Sequence, residues 1–159
     1  MDEGRTLTLR PVGRVVKGAS YPLEPDWKER EAEIEIDARW EDALHRVEGF
    51  SHIWIIWWLD ARNEPPDVLR VHPEGHAEMP LIGIFGTRSP RRPNPIAMTA
   101  VRLLERRGRR LLVRGLDARE GTPVFDIKPY IRRGDMIPEA RMPAWIEELW
   151  HLHDAEEEG

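Results

Sequence analysis

Ten consecutive residues, Phe50-Ser-His-Ile-Trp-Ile-Ile-Trp-Trp-Leu59, constrain the fold of this chain more than any other stretch. Side chains of a strand alternate between its faces, and here both alternations are apolar, so the run reads as a central strand or one side of a subunit interface. It is about half the ~18–20 residues a membrane-spanning helix needs, and no other apolar run in the chain is longer. Shorter segments of the same kind surround it. Glu31–Ile36 alternates polar with apolar, as a strand with one wet face does. Residues 6–16 read as a strand interrupted near Pro11 and Gly13. Residues 81–86 form a short apolar strand after a polar, proline-rich loop over 60–80. Ile96–Leu104 and Leu111–Leu116 read as a hairpin around Arg107-Gly108-Arg109, and Thr122–Ile131 as the last long strand. Helices only flank these. Asp37 is placed to cap a short one carrying Trp40, Ala43, Leu44 and Val47, closed by Gly49. Pro143 opens a C-terminal amphipathic helix, about 143–155, with Trp145, Ile146, Leu149, Trp150 and His153 on one stripe. The fold class is mainly β: a single small antiparallel β-barrel with short flanking helices. No Gly-x-Gly-x-x-Gly follows a strand, which argues against a dinucleotide-type α/β fold.

At 159 residues the chain fits one domain, 1–159, with its core over 7–133. It has no cysteine, which excludes disulfides, thiolate catalysis and cysteine-bound zinc. Met1-Asp2-Glu3-Gly4-Arg5 lacks the order of a secretory signal, and a cytoplasmic location is expected. The formal net charge of −5 discourages a polyanion partner until its distribution is read. Between Arg88 and Arg119 there are ten arginines against two acids, Glu105 and Asp117, leaving this stretch at +8 and the remainder at −13. Segregation of that kind makes a local positive surface if the arginines share a face. If they alternate along strands, it makes none.

Two segments carry candidate chemistry. Gly83-Ile-Phe-Gly-Thr-Arg-Ser-Pro-Arg-Arg-Pro-Asn-Pro-Ile96 is a strand running into a loop stiffened by Pro90, Pro93 and Pro95. A stiff loop loses less entropy on holding a ligand. Arg88, Arg91 and Arg92 offer forked donors for carboxylate or phosphate, and the Asn94 amide both donates and accepts. The bland alternative is a surface turn with solvated arginines. In Glu120-Gly-Thr-Pro-Val-Phe-Asp-Ile-Lys-Pro-Tyr130 a permissive turn precedes a strand on which Asp126, Lys128 and Tyr130 share a face. That row is either functional or a surface ion pair with a tyrosine beside it.

The order Gly-Thr-Arg-Ser-Pro-x-Arg-Pro-Asn-Pro-Ile, then Glu-Gly-Thr-Pro-Val-x-Asp-Ile-Lys-Pro-Tyr, resembles the signature of the TrmO/TsaA-like family. Gly49-Phe-Ser-His-Ile-Trp54 is similar to that family's strand after its short helix, and the resemblance covers roughly residues 7–133. It implies a β-barrel methyltransferase using S-adenosyl-L-methionine, commonly a homodimer with the cofactor near the subunit interface. The implied reaction is N6-methylation of threonylcarbamoyladenosine at position 37 of tRNA. Matched position by position, the implied cofactor contacts are Arg88, Met98, Glu120, Gly121, Thr122 and Pro123. Arg91, Arg92 and Asn94 are expected to bind substrate RNA, with the Arg106–Arg110 hairpin gripping further phosphates. Asp126 is the candidate base, with Lys128 and Tyr130 orienting the acceptor. The chain departs from the family pattern at Tyr21-Pro-Leu-Glu-Pro-Asp26, where a Pro-Arg-Gln is expected, and at Asp60-Ala61, where relatives carry His-Gln. Glu120 also replaces the usual Asp. The chain is expected to end soon after the barrel, without the extra C-terminal domain of tRNA-acting bacterial members. Other acceptors remain open at this point, either a small molecule or another RNA. So does a module that binds cofactor or RNA without chemistry.

The remaining aromatic and imidazole groups take plainer readings. Trp54, Trp57 and Trp58 are expected in the core or a dimer interface, and His52 as a hydrogen-bonded core residue. His72 and His76 lie four apart in a loop, a spacing that places two ligands together only on a helix. His151 and His153 do not share a helix face. No metal is assigned to either pair.

Overall fold

A computed structural model describes residues 4–59 and 68–157, so Asp60-Ala61 and the last two residues of the acidic tail lie outside the described residues. The chain divides into two compact units, residues 1–58 with 97–130 and residues 59–96 with 131–159.

The first unit is the barrel. Its strands are β1 (Gly13–Lys17), β2 (Glu31–Ile36) and β3 (His52–Trp58); β4 (Arg70–Val71) and β5 (Ile82–Gly83) pair with each other in the second unit. β6 (Ile96–Arg107), β7 (Arg110–Arg114) and β8 (Pro123–Pro129) complete a closed barrel in the order β1-β2-β7-β6-β3-β8. Closure leaves none of these six strands as an open edge. The inward row of each strand makes the core: Val15, Ile34, Ile53, Ile55, Val101, Leu111, Val113 and Val124 are all but inaccessible.

β2 follows the sequence reading to the residue, with Ala32, Ile34 and Ile36 buried and the three glutamates outward. The hairpin also holds: Arg107 pairs with Arg110, leaving Gly108-Arg109 as a two-residue loop. β6 and β7 differ from the expected ends by a few residues. Residues 6–12 do not join the barrel as strand. Leu7 and Leu9 are exposed, and the ladder begins at Gly13, after Pro11 has interrupted the row of donors. β3 is a central strand, but only Ile53, Ile55 and Trp57 are buried, while Trp54, Ile56 and Trp58 are half-covered on the outer face. The expected helix after Asp37 is a pair of 3-10 turns, Ala38–Leu44 and Val47–Gly49. Asp37 makes no side-chain cap there, and Leu44 alone is buried.

In the second unit the apolar segment at 81–86 spends only Ile82–Gly83 on pairing, and Ile84–Gly86 turns back as a 3-10 turn. The helices are α1 (Arg132–Asp135) and α2 (Ala144–Glu157), the latter opened by Pro143 as expected. Leu149 is buried, Trp145, Ile146, Leu152 and His153 are half-buried, and Trp150 stands outside the stripe, exposed. No helix among the described residues is long and apolar enough to cross a membrane.

Candidate functional site

Gly18 sets the geometry of the turn that the sequence singles out. A Cβ there would sit 2.4 Å from the Ala118 carbonyl oxygen and 2.6 Å from the Glu120 nitrogen, so the chain after β1 and the 118–120 backbone touch directly. The Ala19 N–H donates to the Ala118 carbonyl at 2.8 Å, and the Gly121 N–H to that of Val15 at 2.7 Å. In return, the Val15 N–H donates to the Thr122 carbonyl at 2.9 Å. Thr122 is buried by this lacing, while Glu120 and Gly121 face out. Gly121 has φ +83° and nothing within 4 Å of where a Cβ would stand. The turn is therefore held rigidly from below and open above, as a backbone surface that receives a ligand must be.

A polar relay supports the same rim. The Trp57 indole N–H donates to Thr99 Oγ1 at 3.0 Å, and the Thr99 hydroxyl donates to Asp117 Oδ1 at 2.7 Å. The Tyr21 hydroxyl donates to the Asp117 carbonyl at 2.6 Å, and the Arg119 guanidinium lies 4.2 Å from the Tyr21 ring centre. Burial raises the Tyr21 phenol above its ordinary value, the Asp117 charge adds to the rise and Arg119 opposes it. Met98, next to Thr99, takes the opposite face of β6 and is half-exposed. Sequence reading missed Tyr21, Thr99 and Asp117. The available signal was Asp117, one of only two acids within a run of ten arginines.

Asp126, Lys128 and Tyr130 do share the outer face of β8, opposite Ile56, Trp54 and His52 on β3. Both Asp126 oxygens are engaged: Oδ1 accepts from the Ile127 N–H at 2.9 Å and Oδ2 meets Lys128 Nζ at 2.7 Å. Tyr130 packs 5.7 Å from the Trp54 ring and 6.4 Å from His52. His52 is not a core residue. It is exposed, with its Nδ1 2.8 Å from the Ser51 hydroxyl. At about 3.3 Å per residue, Lys128 and Tyr130 stand roughly 20–26 Å along the strand from Thr122. Within one chain, the row climbs away from the turn. Beside Asp126, the opposite end of the barrel carries a cavity of about 350 Å³ lined by Leu44, Phe50, Ile127 and Pro129. The cleft beside Gly18 is smaller, about 120 Å³.

In the second unit, Arg88, Arg91 and Asn94 are exposed. Arg92 is half-buried, and its guanidinium donates to the Thr87 and Ser89 carbonyls at 3.1 Å each, which makes it a brace of its own loop. The Thr87 hydroxyl donates to the Ile84 carbonyl at 2.9 Å and accepts from the Ser89 N–H at 3.2 Å. Hydroxyls and prolines stiffen this segment together.

The arginines of the β6–β7 hairpin are answered by carboxylates on the outer surface of the barrel unit. Arg110 reaches Glu33 at 3.4 Å and Glu35 at 3.0 Å; Arg109 reaches Glu35 at 3.5 Å and Arg114 reaches Glu31 at 3.6 Å. Arg106 meets Glu48 at 3.5 Å and Arg107 meets Glu105 at 2.7 Å. Five of the ten arginines of 88–119 are thus paired with carboxylates of β2, of β6 itself and of the 47–49 turn, and the hairpin does not present its charge as a free patch.

Residues 16–136 match the model of the tRNA-methyltransferase O (TrmO) N-terminal domain. The chain belongs to that family. A probable S-adenosyl-L-methionine-binding protein of Archaeoglobus fulgidus is 44% identical over 147 residues, covering 89% of this chain and 38% of the relative. One from Methanothermobacter thermautotrophicus is 43% identical over 136 residues, covering 82% of this chain and 95% of its own length. The crystal structure of TrmO from Pseudomonas aeruginosa superposes with a TM-score of 0.66 at 28% identity, over 86% of this chain and 62% of that one. The chain thus spans nearly all of one relative, 38% of the Archaeoglobus relative and 62% of the TrmO chain. The TrmO-family barrel, and the β-barrel fold expected from the resemblance, are both present here.

Proposed function

We propose that this chain binds S-adenosyl-L-methionine at the Glu120–Pro123 turn and transfers its methyl group to tRNA, at N6 of threonylcarbamoyladenosine 37. The observation that carries the reading is the match of residues 16–136 to the TrmO N-terminal domain, supported by relatives named for binding this cofactor. The residues present fit the cofactor's chemistry. Glu120 offers an outward carboxylate for an ammonium or a ribose hydroxyl, Met98 an exposed apolar surface for a purine, and Gly121 an unobstructed backbone. Arg88 is assigned as a cofactor contact on the family resemblance alone.

When bound, the cofactor supplies a methyl group on a positively charged sulfur, so positioning of the acceptor provides much of the acceleration. The chain's part is to hold the acceptor in line and to take a proton from its nitrogen. Asp126 is the proposed proton acceptor, using a lone pair not taken by Lys128 or the Ile127 N–H. Because Lys128 and Tyr130 stand so far along β8 from the turn, a second copy is proposed to bring an acceptor site to each cofactor. The small cleft at Gly18 favours the same arrangement, since drug-sized ligands ordinarily occupy pockets of about 300–1,000 Å³. Arg91 and Asn94 are the proposed RNA contacts, with Arg92 shaping their loop. A cytoplasmic location follows from the same reading.

The test is methyl incorporation from labelled S-adenosyl-L-methionine into bulk tRNA lacking this modification, beside a metabolite pool and other RNA. Label in tRNA, lost with Asp126→Asn, supports the full reading. Label elsewhere would move the acceptor. A second reading, cofactor binding without chemistry, is favoured by the engagement of both Asp126 oxygens, and it predicts binding with no label anywhere.

A further inference from the structure

Four histidines were set aside above because neither close pair has a metal-binding spacing; the fold takes one residue from each pair and brings them together. Glu74, His76 and His153 each present one ligand atom, all three within 4.8 Å of one another. Glu74 and His153 are 79 residues apart in sequence, and the Glu74 carboxylate contacts His153 Nε2 directly. All three residues belong to the second unit, on the 3-10 turn Pro73–Gly75 with its following residue and on α2. We propose that this cluster is a divalent transition-metal site, with zinc as its ion, that ties α2 to the 73–79 segment.

Three features favour a metal over an ordinary ion pair. The donor set is two imidazoles and a carboxylate, which suits zinc and its neighbours, whereas calcium and magnesium seek oxygen alone. In a tetrahedral zinc site, nitrogen and oxygen ligands at about 2.0–2.2 Å from the ion stand roughly 3.3–3.5 Å apart. The three ligand atoms already lie within 4.8 Å of one another, the neighbourhood such a shell requires. Second, Glu78 Oε1 lies 3.4 Å from His76 Nδ1, supplying a carboxylate to orient the ring or to complete the shell. Two carboxylates beside two imidazoles match the charge of a divalent cation. Third, Glu74 holds φ +52° and ψ +19°, a left-handed backbone that a non-glycine residue adopts at a cost. That conformation places its carboxylate against His153. His76 is the most enclosed of the three, with a side chain 21% exposed, while Glu74 and His153 at 51% and 40% leave room for water ligands.

The neighbouring histidines serve as internal controls. His72 Nδ1 lies 2.7 Å from the Met79 carbonyl oxygen, and His151 is exposed. The proposal is independent of the methyltransferase reading, because the site shares no residue with the cofactor turn.

The full chain, free of any histidine tag, would be titrated with zinc chloride against a colorimetric chelator, and with cobalt(II) while visible absorption is recorded. The expected result is one zinc per chain, visible cobalt bands, and a thermal midpoint raised by zinc. His153→Gln and His76→Gln should each weaken zinc binding at least tenfold and abolish the thermal shift, while His72→Gln and His151→Gln leave both unchanged. Glu74→Gln, on an exposed turn, gives the same reading should either histidine variant fail to fold. Zinc bound at less than one per chain, or with equal affinity in wild type and the Glu74→Gln and His153→Gln variants, would overturn the site.

Discussion

A methyl group added at Gly18 would meet three backbone atoms within 2.6 Å, and backbone cannot swing aside as a side chain can. Gly18→Ala is therefore predicted to cost about 1–3 kcal/mol, as overpacking does, and to push the 118–120 backbone off its seat. Urea unfolding measures the first effect, and weaker cofactor binding reports the second. Gly121→Ala is a useful contrast: its Cβ meets nothing, so only the left-handed backbone costs, about 1–2 kcal/mol. At Thr99, replacement by Val removes both the acceptor for the buried Trp57 N–H and the donor to Asp117. A loss of about 1–3 kcal/mol is expected on urea unfolding, because Trp57 is buried and its N–H loses its partner. Tyr21 adds a pH dependence. Its folded value is raised, so the folded chain holds the phenolic proton more tightly than the unfolded one does. The stability it contributes is complete below about pH 10, the ordinary tyrosine value, and falls as pH rises through the higher folded value. Tyr21→Phe should lose part of this at neutral pH and show a shallower alkaline loss, which unfolding at about pH 7 and pH 10.5 would reveal.

At the scale of elements, β2 and β7 show what a sequence can and cannot say. Glu-Ala-Glu-Ile-Glu-Ile declares a strand and its wet face, and the Arg-rich hairpin declares a turn. Neither declares that these two wet faces are neighbours. Pairing Glu31 with Arg114 and Glu33 with Leu112 is a long-range fact, and it turns an apparent phosphate grip into a cross-strand ladder. Arg110→Ala is accordingly predicted to cost up to about 1 kcal/mol on thermal unfolding, the scale of exposed ion pairs. It should leave the salt dependence of tRNA retention unchanged. Arg91→Ala, with no comparable partner among the described contacts, should make that dependence shallower. The misread ends have the same origin. Leu7 and Leu9 alternate like a strand, but alternation has no consequence without a neighbour to pair with. Asp37 precedes a helical pattern, but its short turns bury one residue and close without its side chain.

For the whole molecule, closure of the barrel was legible because successive short strands with tight turns leave few other arrangements. The candidate cofactor turn was legible as a motif, and the structure adds its support: Gly18 beneath it and the Trp57–Thr99–Asp117 relay beside it. The Glu74–His76–His153 cluster was not legible, since residues 79 apart meet only through the fold. Calorimetric titration of the purified chain with S-adenosyl-L-methionine, beside Gly18→Ala and Arg88→Ala, tests the central claim most directly. Micromolar binding is predicted for the wild type, weakened at least tenfold in both variants. Absence of binding in a folded wild type, or affinity untouched by Gly18→Ala, would contradict a cofactor site at the 120–123 turn.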